Sequence, residues 1–152
     1  MTYVQWASWT VANQFPGTVP VVVGDLSDSN GGHLSPHKSH QSGRDADIGY
    51  FAEGNKPLRW FKTLGDDLDV RKTWVFIEAL VRTNAIQYIF IDKSIQVVLY
   101  EEARRLGFSD GDLESVFQYP GGNRGSLIRH VRGHKNHLHV RFRCSREDVD
   151  CE

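Results

Sequence analysis

The chain has 152 residues, a formal net charge of −1, and a composition that is 39% hydrophobic and 24% charged. Its length suits one domain with its own core and is too short for two, so we expect a single domain over residues 1–152. The composition is typical of a soluble globular protein and excludes a disordered or fibrous chain. No apolar run approaches the roughly 20 residues that cross a bilayer, and the near-neutral charge argues against a general nucleic-acid binder.

The first third of the chain predicts two short strands. Residues 1–18 are aromatic and polar and give no clear assignment. Residues 19–23 are apolar and rich in β-branched side chains, which predicts a strand. Residues 28–36 are rich in Ser, Gly and Asn, which predicts a loop. Residues 45–51 alternate as a half-buried strand does. The polar side of this alternation consists of Asp45, Asp47 and Gly49.

Apolar residues at helical spacing predict two main helices. Asp69 serves as the N-terminal cap of the first, and its apolar face recurs at i, i+3 and i+4. That face consists of Trp74, Ile77, Leu80 and Val81. Residues 86–91 predict a buried strand, after which Asp92 caps a second helix that ends at Gly107.

Two segments between these elements are rich in turn residues. In residues 52–67, Trp60 and Phe61 are expected to pin the chain to the core, and residues 119–125 predict a flexible loop. Together the elements predict an α+β fold, with a small, mainly antiparallel sheet and two main helices.

The last predicted strand carries an unusual set of histidines. In residues 134–142 alternate side chains point to opposite faces. One face carries His137, His139 and Arg141, and the other carries Leu138, Val140 and Phe142. The apolar face is therefore expected to pack against the core, and the face with the histidines is expected to carry the functional groups. His134 lies just before this strand face.

All seven histidines fall in residues 33–40 or residues 130–139. The first window runs across a glycine turn into Asp45 and Asp47, and imidazole nitrogen and carboxylate oxygen are the ligands that zinc takes at roughly 2.0–2.2 Å. A lone imidazole in a sheet is more often structural, but the two windows favour one shared metal site. His33 and His130 are interpreted as surface or structural residues.

Basic residues cluster around the second window. This set has two interpretations with about equal support, a solvated basic face or a cleft that attracts an anionic substrate. Its members are Arg124, Arg129, Arg132, Lys135, Arg141, Arg143 and Arg146.

Four short motifs carry a family resemblance. They are Gly24-Asp25-Leu26-Ser27; Gly31-Gly32; His37-x-Ser39-His40-Gln41-x-Gly43-x-Asp45-x-Asp47; and His134-x-x-His137-x-His139-Val140-Arg141. In this order and spacing they resemble the penicillin-insensitive murein endopeptidases, from about Val21 through Cys151. That family belongs to a wider group of zinc peptidases that includes lysostaphin-type and D-alanyl-D-alanine peptidases and the fold of hedgehog proteins. The resemblance implies a fold of the hedgehog and D-alanyl-D-alanine peptidase type.

The resemblance also implies a role for each site residue. The implied zinc ligands are His40, Asp47 and His139. His137 is then the catalytic imidazole, His134 a further active-site histidine, and His37 a less certain metal position. Asp45 competes with Asp47 as a ligand, but only Asp47 stands at the family spacing from His40. Three protein ligands leave a position open for water, and the His-Glu-x-x-His signature with its glutamate base is absent.

The two cysteines stand seven positions apart near the C-terminus. The resemblance includes such a pair, so Cys144 and Cys151 are expected to form a disulfide, which requires an oxidising compartment. We therefore expect a periplasmic or secreted protein, although residues 1–6 lack the basic start and apolar run of a signal peptide.

The resemblance implies a zinc-dependent endopeptidase that hydrolyses the peptide cross-links of peptidoglycan, whose stem peptides are its partners. One alternative is a D-alanyl-D-alanine-type carboxypeptidase or dipeptidase. Another, from a different class, is a non-catalytic zinc-stabilised binding module. The presence of both His137 and His134 beside three ligands favours an enzyme, because a purely structural site does not need them.

Overall fold

The computed structural model describes residues 2–26 and 44–144. These residues form four α-helices and five strands, joined by turns and two short 3-10 segments, Glu53–Asn55 and Gly65–Asp67. In chain order the elements are α1 (Tyr3–Gln14), β1 (Val23–Leu26), β2 (Asp45–Gly49), α2 (Val70–Arg82), β3 (Ile86–Ile91), α3 (Lys93–Arg105), α4 (Asp110–Val116), β4 (Ile128–His130) and β5 (His137–Phe142).

The two main helices begin at the predicted caps. The side chain of Asp69 accepts a hydrogen bond from the backbone N–H of Lys72, and that of Asp92 accepts one from the backbone N–H of Ser94. A carboxylate in this position satisfies an N–H that the helix cannot pair. Both helix predictions are therefore confirmed.

The strands form one five-stranded sheet in the order β1-β2-β5-β3-β4. Neighbouring strands are antiparallel except β3 and β4, which are parallel. The α+β class with a mainly antiparallel sheet is confirmed. β5, the last strand among the described residues, lies at the centre of the sheet, so the histidines it carries are flanked by side chains from β2 and β3.

One face of the sheet packs against the helices in the hydrophobic core. Its strands contribute side chains that are at most 3% exposed, and they meet the apolar faces of α2 and α3. The strand residues of this face include Ala46, Ile48, Ile89, Ile128, Leu138 and Val140. The alternation predicted for β2 and β5 is therefore confirmed, although β2 ends at Gly49 and β5 begins only at His137. The prediction that β2 is half-buried is wrong, because its polar side chains Asp45 and Asp47 are also buried, at 3% exposed.

The N-terminal helix α1 is not among the predicted elements. Thr2 and Gln5 form a reciprocal capping box at its start, while its buried residues are only Ala7 and Val11. Trp6 and Trp9 are 43% and 49% exposed. Because the apolar aromatic side chains point outward, the sequence shows no clean apolar stripe, and the helical period is hidden.

Three further predictions differ from the structure. The first strand is shifted from residues 19–23 to β1, and Pro20, which has no N–H to donate, lies before it. Helix α4 and strand β4 are both additional to the predicted elements. Trp60 is 71% exposed, so the prediction that it pins its segment to the core is wrong, whereas Phe61 is half-buried.

Within residues 2–26 and 44–144, every helix is too short or too polar to cross a membrane.

Candidate active site

The candidate site lies on the polar face of the sheet, where β2 and β5 run side by side. Residues opposite each other in an antiparallel pair project from the same face. The register pairs Asp45 with Arg141, Asp47 with His139, and Gly49 with His137. The strand register thus brings together carboxylates and imidazoles that are about ninety residues apart in the chain.

His139 lies between two carboxylates. Its Nδ1 is 2.8 Å from Oδ1 of Asp47, and its Nε2 is 2.9 Å from Oδ1 of Asp45. Burial lowers the pKa of His139, but the hydrogen bonds and charges of both carboxylates outweigh it and raise the pKa to about 9. The imidazole is therefore cationic at neutral pH when it is bonded to both acids.

Asp45 is held by a second cation. Nε of Arg141 donates to its Oδ1 at 2.8 Å, and a terminal nitrogen of Arg141 donates to its Oδ2 at 2.9 Å. Burial raises the pKa of Asp45, but His139 and Arg141 together bring it below its usual value. The two-point contact fixes the carboxylate plane and leaves Oδ1 directed at His139.

His137 stands beside the same pair with a defined orientation. Its Nδ1 is 2.7 Å from Oδ1 of Asn136, and its Nε2 is 3.9 Å from Oδ1 of Asp47. An amide oxygen only accepts hydrogen bonds, so Nδ1 of His137 carries the hydrogen in this arrangement. Its Nε2 is then the nitrogen that can take up a proton.

His134 completes a group of three imidazoles. Its ring centre is 4.9 Å from that of His137 and 6.2 Å from that of His139. Burial lowers the pKa of His134 and outweighs its backbone hydrogen bonds, so the ring favours the neutral form. Tyr50 holds this segment in place, because its hydroxyl donates to the carbonyl oxygen of His134 at 2.9 Å.

Aromatic side chains that sequence analysis did not assign to the site line it on two sides. Phe90 of β3 stacks on His139 with ring centres 5.5 Å apart, and Phe61 stacks on His137 at 4.8 Å. Tyr88 lies under the guanidinium groups of Arg129 and Arg141. The alternation of residues 86–91 places Tyr88 and Phe90 on one face and could have indicated them, but no local pattern indicates Phe61.

Several predicted site residues lie outside the described residues. His37, His40, Cys151 and Arg146 are among them, so the structure tests neither the full ligand set nor the disulfide. In residues 2–26 and 44–144, no group of three or more His, Cys, Asp or Glu side chains is arranged to hold a metal ion. Asp47 and His139 supply two adjacent donors, and the predicted set needs His40 as the third.

His130 and two residues of the basic cluster make contacts that serve the fold. His130 is exposed and its Nδ1 accepts from the backbone N–H of Lys93, in agreement with a structural interpretation. Arg129 donates to the carbonyl oxygen of Ser126, and Arg143 to that of Ile86. Since Arg141 is committed to Asp45, part of the basic cluster serves the fold.

The arrangement can do two kinds of chemistry. Asp47 and His139 offer oxygen and nitrogen donors to a cation, and His137 and His134 offer ring nitrogens that can move protons. A metal-assisted hydrolase combines these two functions in one site.

Comparison with known proteins agrees with this class. A model of the penicillin-insensitive murein endopeptidase family matches residues 1–106, and the chain belongs to this family. A penicillin-insensitive murein endopeptidase of Citrobacter koseri is 29% identical over 168 aligned positions, which include 99% of this chain and 54% of the relative. Proteins of the same name from Escherichia coli K12 and Shigella boydii are 27% identical with the same coverage. The chain spans about half the length of the curated relatives it matches.

Proposed function

We propose that this chain is a zinc-dependent endopeptidase that hydrolyses peptide cross-links between the stem peptides of peptidoglycan. Family membership supports the reaction class and the substrate. The observation that carries the proposal is the meeting of Asp47, His139 and His137 on one face of the sheet, with Asp47 Oδ1 2.8 Å from Nδ1 of His139 and 3.9 Å from Nε2 of His137. Metal donors and a proton-transfer group are thus adjacent.

The donor set fits zinc. Asp47 and His139 provide carboxylate oxygen and imidazole nitrogen, which zinc binds, and we assign His40 as the third ligand and His37 as a less certain one. When bound, zinc supplies a water molecule whose pKa is lowered from about 15.7 to about 7, and an electrophile for the peptide carbonyl.

Asp45 has a supporting role in this proposal. Because Nδ1 of His139 faces Asp47, it is the nitrogen assigned to the metal, and Nε2–H donates to Asp45. A carboxylate behind a metal-binding histidine fixes its tautomer and ring orientation. Arg141 in turn fixes the carboxylate of Asp45.

His137 is the proton-transfer residue in this proposal. Its Nδ1 is bonded to Asn136, so Nε2 is the atom that takes and delivers the proton during hydrolysis. The neighbouring His134 is held through its ring and its carbonyl and assists or orients His137. Since peptidoglycan lies outside the cytoplasm, the proposal includes a periplasmic or secreted location.

The proposal is tested by digesting purified peptidoglycan with the purified protein and measuring its zinc content by atomic absorption. We expect bound zinc, conversion of cross-linked muropeptide dimers to monomers, intact sugar strands, and loss of activity when a chelator removes the metal. Release of D-alanine alone would indicate a carboxypeptidase, and dipeptide release a dipeptidase. Zinc binding without any product would indicate a binding module, and new reducing sugar ends would indicate a glycosidase.

A further inference from the structure

Phe61 lies in a connecting segment whose two ends are tied together. Ala52 and Leu68 form an isolated antiparallel bridge, and the N–H of Asp69 donates to the carbonyl oxygen of Phe51 at 2.9 Å. Within the segment Leu64 is 9% exposed and anchors it to the core. The backbone that carries Phe61 is therefore held from both sides.

Two glycines make room for the ring of Phe61 on the polar face of the sheet. A Cβ added to Gly24 of β1 would lie 2.7 Å from Cε2 of Phe61 and closer still to Cζ, a distance that real contacts do not show. A Cβ added to Gly49 of β2 would lie 3.4 Å from Cδ1 of Phe61, which is ordinary contact. The packing of the Phe61 ring against the sheet therefore requires glycine at position 24 and favours a small residue at position 49.

The Phe61 ring also stacks on His137. The ring centres are 4.8 Å apart and the planes differ by 15°, so the two rings stack almost flat. His137 is also bonded through Nδ1 to Asn136. The hydrogen bond fixes which nitrogen carries the hydrogen, whereas the stacked ring restricts rotation of the imidazole about its Cβ–Cγ bond.

We propose that Phe61 is a positioning residue that holds the imidazole of His137 with Nε2 directed toward Asp47, and that Gly24 permits this stack. The inference rests on the proposed role of His137 in peptide hydrolysis. A proton-transfer group contributes its full effect only when it is held close to the productive geometry. Phe61 has no titrating or metal-binding group of its own, so it acts through His137 in this proposal.

The kinetic test compares three variants for zinc content, kcat and KM on a cross-linked muropeptide dimer. Phe61→Leu removes the flat ring and should lower kcat about 10- to 100-fold, with KM and zinc content close to those of the parent protein. Gly24→Ala should displace the ring and lower kcat to a similar extent. Gly121→Ala, at an exposed position where an added methyl group meets nothing within 4 Å, is the matched control and should leave kcat unchanged.

The double variant Gly24→Ala/Phe61→Leu distinguishes an effect of Gly24 through the Phe61 ring from a separate loss of activity caused by disturbing the fold. If Gly24 acts through the ring, Gly24→Ala should lower kcat in the parent protein and change it little once Phe61 is leucine. Additive losses in the double variant would overturn the proposal. So would a Phe61→Leu protein with unchanged kcat, or one in which KM alone rises.

An NMR measurement tests whether Phe61 stacks on His137 even if the protein does not cleave peptidoglycan. An aromatic ring stacked flat on an imidazole shifts the carbon-bound imidazole protons upfield. NMR should therefore show upfield His137 ring signals in the parent protein and in Gly121→Ala, and a downfield move in Phe61→Leu and Gly24→Ala. Identical His137 signals in all four proteins would refute the stack, whereas absence of cleavage with the expected shifts would refute only the proposed function.

Discussion

Asp45 and Asp47, two positions apart on one strand, contact opposite nitrogens of His139 and so have different expected roles. Asp47 is also near His137, while Asp45 is held by Arg141. A side chain engaged in a two-point ion pair is poorly suited to leave it for a metal, since the Asp45 carboxylate is fully buried and Arg141 largely so. The contacts therefore support Asp47 over Asp45 as the metal ligand, in agreement with the family spacing.

The first prediction separates ligands from the proton-transfer residue. His40→Ala, Asp47→Ala and His139→Ala should lose zinc, because removing one of the assigned ligands leaves too few donors to hold the ion. His137→Ala should keep zinc and lose turnover by about 10²- to 10⁴-fold, the usual contribution of general acid–base catalysis. Atomic absorption and turnover on peptidoglycan are measured for each variant in parallel. If His137→Ala loses zinc while His139→Ala retains it, the two roles are reversed.

The second prediction concerns Asp45. Asp45→Asn keeps the shape of the side chain but weakens the acceptor for His139 and leaves Arg141 with a neutral partner. We expect zinc affinity to fall about 10- to 100-fold, as for other residues that orient metal-binding histidines. Competition with a coloured chelator measures the zinc affinity. The control is Asp66→Asn, which makes the same change at an exposed carboxylate. Unchanged affinity in Asp45→Asn would show that its contacts serve the fold alone.

Among the elements, helices α2 and α3 are joined by a small ion network. Glu102 of α3 contacts Arg71 of α2 at 3.4 Å and Arg105 of its own helix at 2.7 Å. The hydrogen bond from Arg105 is the main cause of a lowered pKa for Glu102, and Arg71 adds to it, while burial opposes both. The ionised carboxylate therefore stabilises the contact between the two main helices.

The third prediction is the pH dependence of that contact. Glu102→Gln should lower the free energy of unfolding by about 0.5–1 kcal/mol at pH 7, a modest value because both arginines are substantially exposed. Since the pKa of Glu102 is lowered on folding, its contribution is present above its unfolded pKa and is lost as the pH falls through the folded one. Urea unfolding at pH 7 and at pH 3 should show the difference between parent and variant shrinking, with Glu114→Gln as an exposed control. A difference that grows at pH 3 would contradict the assignment.

The fourth prediction is the disulfide that follows β5. Cys144 lies two residues beyond the end of that strand, whereas Cys151 is outside the described residues, so the bond between them stays a prediction. Protein from an oxidising compartment should show no free thiol under denaturing conditions, and its mass should rise by two hydrogen atoms on reduction. Because the loop is short, removing the bond should cost about 2 kcal/mol of stability, and Cys144→Ser and Cys151→Ser should have similar effects. Two free thiols would contradict the pairing.

Over the whole molecule, one sheet and one core suggest one folding unit, and we propose a single domain over residues 1–152. The core cluster includes residues from α1 through β5, and the central strand of the sheet is the last of the described strands. The β1–β2 pair and the β3–β4 pair are therefore joined into one sheet only through β5.

The fifth prediction follows from this arrangement. Urea unfolding should be a single cooperative transition, with the same midpoint by far-ultraviolet circular dichroism and by tryptophan fluorescence. Trp74 is 2% exposed and reports on the core, and Trp74→Phe isolates the signal of the three other tryptophans. Two separated transitions would show that the chain contains two independent units.

The elements that sequence analysis predicted best are those whose signals are local. Helices α2 and α3 each have a capping aspartate and a regular apolar face within about a dozen residues. The first residue and the helical period of each can therefore be recognised in the sequence. In α1 the aromatic residues point outward, and in the short α4 only Leu113 is buried, so the period is absent. The stability of a helix without a recognisable apolar stripe depends on the surfaces that it packs against.

The sequence by itself determined which residues of β2 and β5 face the core and which are polar, because alternation is a property of a single strand. Only the tertiary structure decided that β5 lies between β2 and β3, which sets His139 between Asp45 and Asp47 and under Phe90. The stack of Phe61 on His137 likewise depends on a segment that crosses two strands. Strand order and register arise from contacts between residues far apart in the chain, and no local period encodes them.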